Sequence, residues 1–227
     1  MTQSNDNFSR QNPLFVTISF LVVMAVLFIV VIGILPYRTS NATLSGTPTV
    51  TPDPYRQYQF GVTDYLTGNY PAALEDFTRS IDAQYSPMEE ALYQRGLVYY
   101  TISVQNEDES AADNSIADLE AAIALAPNYF KVYPALGWSN FQKASFATGD
   151  EQTAYYQKAL DIFQQGAALY KKNGKTDAQI FDGLGWTNYK LGNLEVAIEF
   201  FMQAINFNPG LEDAQIGLNA AKADLGK

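Results

Sequence analysis

Apolar and polar positions divide this chain into three stretches. From Leu14 to Leu35 the sequence reads "LFVTISFLVVMAVLFIVVIGIL", 22 residues without a charge. As a helix it would extend roughly 33 Å, against about 30 Å for the hydrocarbon core of a bilayer. Lipid admits a lone span only as a helix, whatever its β-branched content. No small-residue cleavage site follows; "LPYRTSN" does. The segment is therefore expected to be an uncleaved single-pass anchor, with residues 1–13 as an N-terminal tail. From Tyr55 onward the pattern changes to apolar residues at three- and four-residue spacings, broken at Gly, Asn and Pro. That is the signature of successive amphipathic helices.

Residues 36–54, including "TSNATLSGTPTVTPDP", are rich in Ser, Thr and Pro and nearly uncharged. Such a composition builds no core, and its prolines stiffen it toward an extended spacer. Arg10 and Arg38 flank the apolar segment, so the positive-inside count is nearly even. The threonine/proline spacer resembles those that follow anchors in bacterial surface proteins. On that likeness the downstream region is expected outside the cytoplasm of a bacterial cell.

Within the helical region, a single spacing recurs four times. Ala73, Phe77, Ser80 and Tyr85 stand 4, 3 and 5 residues apart, as do Ser115, Leu119, Ala122 and Pro127. The same steps separate Ala159, Phe163, Gly166 and Lys171, and then Ala197, Phe201, Ala204 and Pro209. Ahead of each set lies a helix that carries a glycine: Gly61, Gly96, Gly137 or Gly185. Glycine inside a helix costs about 1 kcal/mol relative to Ala, so four of them imply a compensating close crossing of helices. The small residue of each set is expected to face the glycine, and the Phe or Leu four residues on to fill the wedge beside it. Proline stops the second helix.

The distance from glycine to first small residue is 12 positions in the first and last units, 19 in the second and 22 in the third. The middle units are thus expected to carry inserted connections between their two helices. The first insertion holds Glu107, Asp108, Glu109 and Asp113. Their spacing does not follow the twelve-residue calcium loop, and a solvated acidic loop is expected.

These spacings resemble the tetratricopeptide repeat, a pair of helices of about 34 residues. "AQIFDGLGWTNYKLGNLEVAIEFFMQAINFNP", from Ala178 to Pro209, carries nearly every diagnostic position, and "YQFGVTDYLTGNYPAALEDFTRSIDAQY" most of them. The resemblance covers residues 55–227 and implies an all-α solenoid of about four helical hairpins behind the transmembrane helix. "EDAQIGLNAAKADLGK" is expected to be the helix that caps its open end. The paired heptapeptides "ALGWSNF" (135–141) and "GLGWTNY" (183–189) then fall in equivalent units, as packing motifs.

In that family the first helix of each pair lines a concave groove. The resemblance assigns to that groove Tyr58, Tyr65, Tyr93, Tyr100, Trp138, Phe141, Trp186 and Tyr189. Aromatic side chains bury large areas with few rotors to freeze, and such a trough suits an extended protein segment or an inserted helix. Lys131 and Lys190 are the expected basic groups, but the asparagine-containing clamp for a terminal carboxylate is absent.

Composition narrows the function classes. The chain has no Cys and no His, which removes disulfides and the usual ligands of zinc, copper, haem and iron–sulfur clusters. Neither a cofactor nor a metal site is expected. The commonest general base is missing, and no pairing among the remaining residues forms a catalytic constellation, so the reading is not an enzyme. With 14 Lys+Arg against 24 Asp+Glu and a net charge of −10, the surface repels phosphate backbones, and nucleic acid is not an expected partner. What remains is a membrane-tethered interaction scaffold that docks a protein segment, or alternatively a structural accessory subunit of a larger membrane complex.

Overall fold

The computed structural model describes residues 53–227; the proposed anchor and most of the spacer lie outside the described residues. Among the described residues no helix is long and apolar enough to cross a membrane. Four helical hairpins and a final helix make up this region of the chain. The hairpins are α1 (Pro54–Leu66) with α2 (Tyr70–Asp82), α3 (Met88–Asn106) with α4 (Glu109–Leu125), α5 (Val132–Phe146) with α6 (Gly149–Lys172), and α7 (Ala178–Lys190) with α8 (Leu194–Phe207). Helix α9 (Glu212–Leu225) closes the stack against α8 and α7. Each helix packs on the next in sequence. The first helices also pack side by side, α1 on α3, α3 on α5, α5 on α7 and α7 on α9.

The recurrent spacing is the core. Ala73, Ser115, Ala159 and Ala197 are wholly buried, as are Phe77, Leu119, Phe163 and Phe201 and, one turn later, Ser80, Ala122 and Ala204. Gly166, the third member of the remaining set, is buried as well. The division of labour at the crossings differs from the expected one. A Cβ built on Gly61 would lie 2.8 Å from the Phe77 ring, and on Gly185 it would lie 2.5 Å from Phe201. The glycine therefore makes room for the large residue directly, and the small residue is not what fills the patch.

The same contact explains why "GLGW" has two glycines. A Cβ on Gly183 would lie 2.3 Å from the Phe163 ring of the preceding hairpin, while Gly185 receives Phe201 of its own. Phe163 is thus held between Gly137 and Gly183, and Phe201 between Gly185 and Gly217 of the closing helix. In "ALGW" the first position is Ala135, which shares a cluster with the smaller Leu119. Ala suffices where Leu is the guest; Gly is needed where Phe is.

The turns of the first and last hairpins match. Gly68 (φ 77°) and Gly192 (φ 81°) occupy left-handed backbone, where a Cβ is disfavoured. After them the Asn69 N–H reaches back to the Asp64 carbonyl (2.8 Å) and the Asn193 N–H to that of Asn188 (2.9 Å), closing the helix end.

The two middle hairpins correct the expectation of inserted loops. Their extra residues are helical: α3 runs 19 residues and α6 runs 24, and only Glu107–Asp108 and Ala147–Thr148 separate the paired helices. Continuing the helix satisfies the backbone polar groups that a loop would have to pair by other means. Glu107 takes the left-handed conformation that ends α3 (φ 52°). Asp108 caps α4 by accepting from the Ala111 N–H at 3.1 Å. Glu109 and Asp113 both hold the Lys143 ammonium, at 2.8 and 2.7 Å. The acidic cluster is thus a helix cap and an ion-pair clamp between α4 and α5.

Two further ties join successive hairpins. Arg95 on α3 forks onto both oxygens of Asp118 on α4 (2.7 and 2.8 Å) and reaches back to Thr78 on α2 (2.9 Å). Glu90 on α3 accepts from the Tyr58 hydroxyl at 3.2 Å and from the Tyr129 hydroxyl.

Candidate functional site

All eight aromatic residues assigned to the groove are partly buried, none of them sealed. Four are brought together. Tyr65 from α1, Tyr93 and Tyr100 from α3, and Trp138 from α5 line a cavity of about 600 Å³. They meet there because the first helices lie side by side.

The other four have different surroundings. The Tyr58 ring stacks on Tyr85 (4.7 Å, interplanar 4°), and its hydroxyl is taken by Glu90. Phe141 sits between Trp138 (5.3 Å) and Tyr156 (5.1 Å), at the α5–α6 junction. Trp186 lies edge-on to Phe201 (5.4 Å) within the cluster that includes Ala214 and Ala221 of α9. Tyr189 donates to Asp224 of α9 at 2.7 Å. Lys131 lines the cavity; Lys190 does not.

Sequence reasoning missed the polar lining. Asp177 at the start of α7, Asp182 within it and Asp213 in the first turn of α9 all line the cavity. Three carboxylates thus face one ammonium. The available signal was the helical interval: Asp182 precedes Trp186 by four residues, the same interval by which Pro134, also in the lining, precedes Trp138.

Burial dominates the electrostatics. Asp182 is only 3% exposed, and its Oδ1 has no hydrogen-bond partner. Burial first, and then the Asp213 charge, push its carboxyl up to about 7 from the usual 3.8. The Tyr100 phenol is pushed up to about 12, again by burial and then by Asp213. Tyr170 is raised by burial and then by the charge of Asp177. None of these phenols ionises near neutral pH, so they serve as donors and ring faces. Among the described residues no three acidic side chains converge to hold a metal ion. The arrangement offers contact area, hydroxyl donors and negative charge: the means to bind.

Comparison with known proteins agrees with this architecture. The model of the family described as "Tetratricopeptide repeat" matches residues 178–210, which is the α7–α8 hairpin. The mouse and human proteins named DnaJ homolog subfamily C member 7 are each 26% identical to this chain over 145 residues. That match takes in 63% of this chain but only 28% of each relative. Among solved structures, the tetratricopeptide-repeat protein TTC0263 of Thermus thermophilus superposes with a TM-score of 0.62 at 19% identity, over 77% of this chain and 84% of that one. MamA superposes at 0.59 with 22% identity, over 76% and 82%. The fold of the described residues is accordingly the all-α tetratricopeptide-repeat solenoid.

Proposed function

We propose that this chain is a membrane-tethered protein-interaction scaffold whose groove docks a segment of a partner protein. The observation that carries the reading is the cavity between the first helices. It opens beside Tyr65, Tyr93, Tyr100 and Trp138 in a fold whose close-packed positions are already filled by Gly, Ala, Leu and Phe. Half-buried aromatics around a trough of about 600 Å³ supply anchoring area for an extended segment. The 22-residue apolar stretch supports the tether, and the likeness of the Ser/Thr/Pro-rich residues 36–54 to spacers of bacterial surface proteins supports a place outside the cytoplasm.

The groove is tested by affinity purification of the detergent-solubilised full chain beside its Trp138→Ala and Tyr100→Ala variants. Proteins held by the parent and lost from both variants are expected; identical partner profiles would remove the groove from the account. The tether is tested by alkaline extraction of membranes. The full chain stays with the pellet, whereas release equal to that of a variant lacking residues 14–35 refutes it. Protease digestion of intact cells reads the side on which the solenoid sits.

A further inference from the structure

Resting on the reading that the groove docks a protein segment, we propose that it selects segments carrying a lysine or arginine, whose cationic head sits against Asp182 while its stem lies along Tyr93, Tyr100 and Trp138. Three observations converge on this. Asp182 lines the cavity while almost wholly buried, and one of its oxygens has no partner. Unpaired buried carboxylates are costly in a folded protein, so one that faces an open cavity points to a cation that the ligand brings. Asp213 faces the same cavity from α9 and adds a second negative charge, whereas the single ammonium in the lining, Lys131, belongs to an exposed residue at the start of α5.

The third observation is the aromatic wall. Cations favour the faces of Tyr and Trp, and the long apolar stem of Lys or Arg covers ring surface. The absence of a three-carboxylate cluster among the described residues argues against a bare divalent ion. An acidic segment is disfavoured by the same charges, in keeping with a chain whose net charge is −10. The occupant is therefore a basic protein segment.

Occupancy depends on pH through the ionisation of Asp182. The titratable groups that share the cavity with it are Asp213 of α9, Asp177 at the start of α7, Lys131 at the start of α5, Tyr170 of α6, Tyr65 of α1, and Tyr93 and Tyr100 of α3. Of these, Asp213 is the one that raises the Asp182 carboxyl, after burial. A bound cation favours the carboxylate, so binding strengthens as pH rises from about 5.5 to 8.

The test is selection of a random-peptide display library on the full chain in detergent, with selection on Asp182→Asn in parallel. Enrichment of Lys or Arg at one register position is expected for the parent, and its loss for the variant. A selected basic peptide should bind the parent at least about tenfold more tightly than it binds Asp182→Asn, as a charge-assisted contact implies. It should also bind more tightly at pH 8 than at pH 5.5. Peptides that compete for the groove, as judged by loss on Trp138→Ala, but show no basic enrichment overturn the cation inference and leave the docking reading standing. Peptides indifferent to Trp138→Ala overturn both. Circular dichroism of each variant shows whether it is folded.

Discussion

Replacing Asp182 by Asn should stabilise the folded chain, and the gain should grow with pH. A carboxyl raised from 3.8 to about 7 keeps its proton in the folded chain over a range where the unfolded chain has lost it. The stability it contributes is therefore whole below about pH 4 and lost by about pH 7. At about 1.4 kcal/mol for each tenfold change in proton affinity, that loss has a ceiling of roughly 4 kcal/mol. Protein interiors relax around a buried charge and behave as a more polar medium than a dry core, so about 2 kcal/mol is the expected size. Asn has nearly the same shape and does not titrate. The two proteins should differ little at pH 4.5, diverge through pH 6, and hold a constant offset above pH 8. Urea unfolding of the full chain at these three pH values, followed by circular dichroism, reads the difference. An offset of the same size at all three pH values would refute the argument. Asp213→Asn should shrink the offset, because it removes the second cause of the raised proton affinity. A residue that weakens the fold and lines a cavity is a common mark of a binding site.

Other substitutions probe the scaffold. Gly183→Ala places a methyl 2.3 Å from the Phe163 ring, which is wholly buried and cannot yield; a loss of about 2 kcal/mol in urea unfolding is expected. Adding Phe163→Leu should recover part of that loss, as the shared cluster of Ala135 and Leu119 indicates, and strictly additive costs would refute the packing account. Arg95→Met leaves the buried Asp118 carboxylate unpaired and should cost about 3 kcal/mol, with Asp118→Leu in the same chain restoring most of it. Lys143→Met should cost only about 1 kcal/mol, since Glu109 and Asp113 are 58% and 56% exposed and return to water.

The hairpin stack was readable because its cost is written in residue types. Glycine inside a helix is unfavourable, so Gly61, Gly96, Gly137 and Gly185 had to mark close approach, and large residues lie against all four. The additional residues of the middle hairpins were not readable as helix, because a count between two landmarks says how much chain there is and not how it runs. α3 and α6 simply continue for further turns. The eight aromatic positions show a different limit. Trp138 and Trp186 stand in the same motif, 48 residues apart, on equivalent faces of equivalent helices. Each also lies edge-on to the Phe of its own hairpin, at 5.5 and 5.4 Å. Their surroundings diverge only at the next element along the stack. Beyond Trp138 comes α7, which brings Gln179 and Asp182 to the cavity. Beyond Trp186 comes α9, whose Ala214, Leu218 and Ala221 join the cluster around its indole. In a solenoid a residue's role is set by the following repeat as much as by its own. A pattern that identifies repeats therefore finds candidate groove positions, while the charge of the groove comes from residue types that the repeat does not fix, such as Asp182 where the preceding hairpin has Pro134.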